Sequence, residues 1–221
     1  MSKFNPHETK PDPEQLSRLT DFYSKHECTS CIMRLEALVY GVHSFPLPNT
    51  YNAQKHPRIA IIGEAVHADD MKAGQLYFSE AGKLLRGALV DGGIDIDDCI
   101  FLNACMCVPR PGAQPNAEQI KACRPYLHQQ LHAIQPKVIL AMGAIAIKSL
   151  FNLRGTVVMK KFVQTAMQYN NVPVFNMYHP AYLLRRMKHS VIPIALEENY
   201  KKAINSAYQC IYGGKKDGQE K

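Results

Sequence analysis

Four cysteines stand at positions that suit a shared metal site. Cys28 and Cys31 form a C-x-x-C pair, and Cys107 and Cys123 follow well downstream. The pair alone is also typical of redox-active thiols or of chance, whereas four thiolates in tetrahedral array hold either zinc or an iron–sulfur cluster. The residues favour these two groups equally, and unliganded thiols are the third alternative. The remaining cysteines fall outside this pattern, and we expect them to be small buried hydrophobic residues: Cys99, Cys105 and Cys210.

Alternating strands and helices would position the residues that could act on a ligand. Residues 58–63 form a continuous apolar run that ends in glycine, which predicts a buried parallel strand. Further strands are predicted at 99–104 and 137–142, and helices at 80–91, 116–134, 144–151 and 197–212. A hairpin is predicted across 156–178, turning near Asn170 and Asn171. This order predicts an α/β fold: a three-layer α/β/α sandwich with a central, mostly parallel four-stranded sheet.

In such sheets, ligands bind beyond the carboxyl ends of the strands. The segments that leave the predicted strands are therefore the candidate site: Gly63–His67, Asn103–Pro111, Gly143 and Tyr178–Arg186. Asn103 and His179 are the side chains of chief interest there. The alternative for each is a hydrogen-bonded polar residue at a strand end.

The composition predicts an intracellular protein with a polyanionic partner. The chain has 221 residues, of which 46% are hydrophobic and 20% charged, as in an ordinary globular domain. Its apolar runs are shorter than the roughly 18–20 residues of a membrane span, and its polar N-terminus lacks a secretory signal. We therefore expect a cytoplasmic protein without a membrane partner. The formal net charge of +7 favours nucleic acid, with a merely basic surface as the alternative.

One domain is predicted, between two polar ends. Residues 1–12 are expected to be a flexible arm, 13–212 a single domain and 213–221 a polar tail. A helix is predicted from Asp12, since Pro13 suits a first helical turn and four apolar residues share one face. That helix would run into Cys28.

Two segments resemble the leading motifs of family 4 uracil-DNA glycosylases. From Gly63 the chain reads GEAVHADDMKAGQLYFSEAGKLL, similar to a GEAPG-type start followed by a glycine, an aromatic residue and AGxLL. From Asn103 it reads NACMCVPRP, similar to the second motif, in which an asparagine stands four residues before a cluster cysteine. Cys123 is similar to the family's fourth cysteine.

Three later segments continue the resemblance. They are PKVILAMGA from Pro136, LRG from Leu153 and YHPAYLLR from Tyr178, which are similar to the central strand and the late motifs. In all, the resemblance spans roughly residues 24–188 in family order. It implies the fold given above and a [4Fe–4S] cluster held by Cys28, Cys31, Cys107 and Cys123, in a structural role.

The resemblance also implies an activity: excision of uracil from DNA by hydrolysis of the N-glycosidic bond, in base excision repair. Tyr77 would stack on the flipped base, where the family usually has phenylalanine. Asn103 would contact O4 and N3, His179 would stabilise the leaving anion at O2, and Glu64 would position the water or the sugar. The full substrate-binding set implied is Gly63, Glu64, Ala65, Val66, His67, Tyr77, Asn103 and His179.

The protein would be a monomer that binds DNA containing uracil. Replication or repair proteins would be further partners. The basic segment around Arg185 and Arg186 would insert into the duplex, and Arg154 would contact phosphate. The alternative for such a charge run is a solvated helix end.

The first motif departs from the family at two positions. Val66 replaces a proline that would stiffen the turn, and His67 replaces a glycine, so a positive φ there would be costly. The fifth position lies near C5 of the base in the superfamily. His67 would therefore exclude the methyl group of thymine, contact a polar 5-substituent, or mark a weakly active member. The competing hypotheses are a glycosylase for another modified pyrimidine and a catalytically weak, replication-associated DNA-binding protein.

Overall fold

A five-stranded sheet covered by helices on both faces forms the centre of the molecule. The computed structural model describes residues 31–33, 56–188 and 194–213. The strands are β1 (Ile59–Ala65), β2 (Cys99–Cys105), β3 (Val138–Met142), β4 (Met167–Tyr169) and β5 (Val172–Met177). From residue 56 onward the helices are α1 (Ala68–Ala73), α2 (Glu80–Asp91), a 3-10 turn (Ile96–Asp98), α3 (Ala117–Ile134), α4 (Gly143–Phe151), α5 (Met159–Phe162), α6 (Pro180–Lys188) and α7 (Ile194–Tyr212).

The strand order is β2-β1-β3-β5-β4. The first four strands in this order pair in parallel, and β4 pairs antiparallel with β5 at one edge. The predicted fold class is confirmed, with five strands in place of the predicted four. The additional strand is the first arm of the predicted hairpin, whose turn residues Asn170 and Asn171 have φ values of 47° and 66°. Such a pair of positive φ angles is what a tight two-residue hairpin turn requires.

Alternate residues of the central strands pack into two hydrophobic layers, one on each face of the sheet. Ile59 and Ile61 of β1 pack with residues of α2 and α7, whereas Ala60 and Ile62 pack with residues of α3 and α4. A strand buried on both faces must be apolar at every position, which explains the uninterrupted run in the sequence. Burial of both faces places β1 in the sheet layer, between the two layers of helices.

A polar cluster joins the amino end of β1 to the last helix. Arg58 donates to the carboxylate of Asp98 at 3.1 and 2.5 Å and to the carbonyl of Ile211 at 3.3 Å. Its guanidinium carbon lies 4.8 Å from the ring centroid of Tyr212, whose hydroxyl donates to Asp98. This cluster lies at the end of the sheet opposite to the carboxyl ends of the strands.

Most predicted elements occur within a few residues of their predicted bounds, and three short helices, α1, α5 and α6, were not predicted. Three predictions lie outside the described residues: the helix from Asp12, the position of Cys28, and the two polar ends apart from Gly213. Across the described ranges, every helix is too short or too polar to span a lipid bilayer.

Candidate functional site

A cleft of about 1300 Å³ opens at the carboxyl ends of β1, β2, β3 and β5. This is the edge at which a ligand is expected in a parallel sheet. Seven of the eight predicted substrate-binding residues line it: Glu64, Ala65, Val66, His67, Tyr77, Asn103 and His179. Gly63 lies directly beneath Tyr77 and Asn103.

Asn103 places its side-chain amide at the cleft. The residue lies on β2 in register with Gly63 of β1 and is 6% exposed. Within the described part of the chain, its buried Nδ2 has no hydrogen-bond partner. A Cβ at position 63 would overlap the Tyr77 hydroxyl and the Asn103 Oδ1, so only glycine leaves room for both side chains.

Tyr77 is held in an unusual backbone conformation, with a φ of 59°. Its side chain is buried, and its hydroxyl donates to the carbonyl of Leu102 at 2.9 Å and lies 3.5 Å from Asn103 Oδ1. Its ring centroid is 5.1 Å from that of Phe101. Burial raises the pKa of the phenol well above its usual value, so the ring is neutral.

His179 follows β5 and borders the cleft opposite Asn103's strand. Its Nδ1 accepts from the backbone amide of Ala181 at 3.3 Å, which leaves the ring proton on Nε2. Burial, with a smaller contribution from the charge of Arg185, lowers the pKa of the imidazole to about 4. His179 is therefore a neutral hydrogen-bond donor at physiological pH.

Glu64 lies on the cleft wall at the end of β1. Burial raises the pKa of its carboxyl group, and the nearby charge of Arg185 acts in the opposite direction. Gln114 Nε2 donates to Glu64 Oε2 at 3.3 Å. Sequence patterns did not single out Gln114, because its loop position carries no signal of which strand end it will reach.

His67 caps a helix in addition to bordering the cleft. Its Nδ1 accepts from the amide of Asp69 at the start of α1, and its side chain is 61% exposed. Its φ of −92° is ordinary for any residue, so the expected cost of a side chain at this position does not arise. Val66 beside it is buried in the core.

Aromatic and basic side chains of α6 form the rim of the cleft. Tyr182 stacks on Tyr178 with centroids 5.7 Å apart, and the guanidinium carbons of Arg185 and Arg186 lie 6.0 and 5.8 Å from the Tyr182 ring. Arg185 itself lines the cleft. Arg154 is exposed on the loop after α4 and is not among the residues that line the cleft.

Three of the four predicted metal ligands share a buried cluster. Cys107 and Cys123 are core members of it, and Cys31 packs against them, whereas Cys28 lies outside the described residues. In residues 31–33, 56–188 and 194–213, no three cysteine, histidine or acidic side chains are arranged to hold a metal ion. The thiol chemistry suits a cluster, and the complete ligand set stays a prediction.

Cys105 belongs to the same cluster, which the sequence did not predict. Its thiol donates a hydrogen bond to the Cys123 sulfur, which raises the pKa of Cys105 and lowers that of Cys123. Cys99 and Cys105 are buried as expected, but Cys210 is exposed on α7, so the prediction of burial is wrong there. Residue 210 lies in the last turn of α7, beyond Ala207, the last buried residue of this helix.

Comparisons with known proteins match this chain to uracil-DNA glycosylases. The family model described as the uracil DNA glycosylase superfamily matches residues 49–208. A type-4 uracil-DNA glycosylase of Thermotoga maritima is 30% identical over 178 residues, which cover 78% of this chain and 85% of the relative. One from Pyrobaculum aerophilum is 35% identical over 134 residues, covering 58% and 68%, and one from Sulfurisphaera tokodaii is 31% identical over 163 residues, covering 70% and 73%.

The matched residues include all five strands of the described sheet and the segments from which Asn103 and His179 project. They also include the cleft at the carboxyl ends of the four parallel strands. The similarity extends over most of the chain and over most of each relative. This chain belongs to the uracil-DNA glycosylase superfamily, among its type-4 members.

Proposed function

We propose that the protein excises uracil from DNA by hydrolysing the N-glycosidic bond of a flipped nucleotide, in base excision repair. The observation that carries this proposal is the buried Asn103 amide at the cleft, whose Nδ2 has no acceptor among the described residues. A buried donor without a partner costs about 1–3 kcal/mol, so a ligand oxygen is the expected acceptor. Membership of the family points to O4 of uracil as that oxygen.

Asn103 would select the base. The atom to be attacked is out of reach inside a duplex, so the nucleotide must be extruded into the cleft. Uracil O4 then accepts from Nδ2, while its N3–H donates to Oδ1. Cytosine has an amino group at C4 and no proton on N3, so both contacts would be mismatched. The Tyr77 ring would provide the stacking face for the bound base.

His179 would stabilise the departing base. Cleavage leaves positive charge on the sugar and negative charge on uracil, and a fixed donor near O2 stabilises that anion. The low pKa of His179 keeps the imidazole neutral, so Nε2–H acts as a hydrogen-bond donor and not as an acid. Glu64 would position the attacking water, whose hydroxyl joins C1′ and whose proton ends on uracil.

A [4Fe–4S] cluster would be held by Cys28, Cys31, Cys107 and Cys123. The support is the buried thiol cluster that contains three of these residues. Such a cluster would cross-link distant segments through metal–thiolate bonds, which is a structural role. Ligation would tie the segment after β2 and helix α3 to the segment that contains Cys31, and so hold the loops that border the cleft.

The phosphates of DNA would be bound by Arg154, Arg185 and Arg186. Arg185 and Arg186 are exposed on α6 beside the cleft, and positive charge there suits a polyanion. The protein would act as a monomer in the cytoplasm, together with replication or repair proteins.

Incision of a uracil-containing oligonucleotide, followed by cleavage at the abasic site, tests the proposal. We expect excision of uracil but not of thymine, and loss of activity in Asn103→Ala. Asn176→Ala is the matched control, because Asn176 is equally buried and donates to the Phe162 carbonyl outside the cleft. Excision of hydroxymethyluracil or hypoxanthine alone would assign another base, and binding without any excision would leave only a DNA-binding protein.

A further inference from the structure

The backbone conformation of Tyr77 requires support from its surroundings. Its φ of 59° lies in the left-handed region, which side chains other than asparagine and aspartate rarely adopt. The other non-glycine residues with positive φ in the described ranges are helix ends or the hairpin turn, where this conformation is ordinary: Gln135, Asn152, Asn170 and Asn171. Tyr77 lies between α1 and α2 and has neither role. Strained residues of this kind cluster at functional sites and persist when their neighbours hold them.

Arg86 holds the carbonyl side of this segment. Its guanidinium donates to the carbonyl of Leu76 at 3.2 Å and to that of Tyr77 at 3.5 Å. The same group lies 4.2 Å from the ring centroid of Phe101, against which the Tyr77 ring packs. Arg86 therefore contacts the backbone of Tyr77 directly and its ring through Phe101.

Asp70 holds the amide side. Its carboxylate is 4% exposed, and Oδ1 accepts from the amides of Phe78 at 2.9 Å and Ser79 at 3.3 Å. Its Oδ2 accepts from the amide of His67 at 3.3 Å. Gly82 completes the contact, since a Cβ there would overlap the Tyr77 carbonyl. The peptide groups on both sides of Tyr77 are thus bound to the side chains of Arg86 and Asp70.

We propose that Arg86 and Asp70 are positioning residues that hold Tyr77 in its left-handed conformation, so that its ring faces the base. This inference rests on the proposed function, because it takes Tyr77 as the stacking residue. Arg86 fixes the two carbonyls and Asp70 fixes the two amides that follow. Rotation of φ at residue 77 to an ordinary value would break these contacts and move the ring. Arg86 does not line the cleft, so its loss would reach the substrate only through Tyr77.

A double-mutant cycle tests this dependence. We expect Arg86→Met, which keeps the aliphatic stem but removes the donors, to lower the single-turnover rate of uracil excision by on the order of 10- to 100-fold. In a Tyr77→Ala background, the same change should alter the rate by less than about twofold, because the ring it positions is gone. Arg58→Met is the matched control, since Arg58 also donates to a carbonyl and lies on a ring, far from the cleft.

Asp70 offers a conservative variant as a second measurement. Asp70→Asn keeps the Oδ1 acceptor for Phe78 and Ser79, so its excision rate should stay within about threefold of native, whereas Asp70→Ala should lose as much as Arg86→Met. Amide hydrogen exchange at Phe78 and Ser79 should accelerate in Asp70→Ala and Arg86→Met. If Arg86→Met does not fold, Arg86→Leu, which also lacks the donors, replaces it.

Equal losses from Arg86→Met with and without the Tyr77 ring would overturn the inference, and so would full activity of Tyr77→Ala. Both results would leave uracil excision intact, which separates them from failure of the proposed function. A native protein that excises no uracil would overturn the function instead. Hydrogen exchange would then decide the inference, and unchanged exchange at Phe78 and Ser79 in both variants would refute it.

Discussion

The low pKa of His179 makes stability depend on pH in a defined direction. In the unfolded chain this histidine takes a proton near pH 6.5, whereas in the folded protein it does so only at about 4. Between these values the unfolded state binds more protons, so stability falls as the pH falls from 6.5 towards 4. The full shift corresponds to about 3 kcal/mol, at ~1.4 kcal/mol for each pH unit. Because the ring borders an open cleft, we expect roughly 1–2 kcal/mol of this at pH 4.5.

Two measurements check this expectation. A chemical-shift titration, with the His179 signal assigned from its absence in His179→Gln, should show an imidazole that stays neutral well below pH 6. Urea unfolding at pH 7.5 and 4.5 should show a loss of stability for the native protein that exceeds the loss for His179→Gln by the amount given above. His132→Gln, which changes an exposed histidine on α3, is the control and should behave as native. A His179 pKa near 6.5, or equal losses in native and His179→Gln proteins, would refute the assignment of a buried, neutral imidazole.

Three further predictions concern the cluster, the DNA and the base. Cys107→Ala should lose the brown colour and about four irons of a [4Fe–4S] protein, while Cys210→Ala, which changes an exposed residue, should keep both. Stoichiometric zinc in place of iron would overturn the cluster. Removal of Arg185 and Arg186 together should weaken binding to all DNA sequences and lower the salt slope by about 2, and an unchanged slope would make this run a solvated surface. His67→Gly should raise kcat/KM for thymine and for hydroxymethyluracil, relative to uracil, by about 10- to 200-fold. Equal kcat/KM ratios in the native and Gly proteins would show that the imidazole serves only as a helix cap.

The sheet was predictable from residue patterns because its strands are buried on both faces. A continuous apolar run such as Ile59–Ile62 has few alternatives to a central strand, and Asn170 and Asn171 carry the turn signal of the hairpin. The short helix α1 was not predictable in the same way. Its N-cap residue is His67, just before Ala68. The imidazole accepts the hydrogen bond that a serine, threonine, asparagine or aspartate side chain usually accepts at the N-cap.

The site was predictable only as far as motifs and strand ends identify residues. Asn103 and His179 follow from both, and both line the cleft. The conformation of Tyr77 could not be predicted, because tyrosine has no preference for positive φ and the angle depends on tertiary contacts. Arg86 likewise appears in the sequence as an ordinary helix residue, and only the packing of α2 brings it to the Tyr77 carbonyl. Contacts between distant segments carry no local signal, which is why these residues were missed.

The central place of β1 has a consequence for how the chain can fold during synthesis. β1 ends at Ala65, but its second neighbour, β3, does not begin until Val138. At a synthesis rate of ~5–20 residues per second, this interval lasts roughly 4 to 14 seconds. Throughout it, one edge of β1, whose first four residues are all apolar, has no partner, and such an edge is prone to pair with other chains. Yield of the folded protein should therefore depend on temperature and chaperone supply more than the finished structure would suggest.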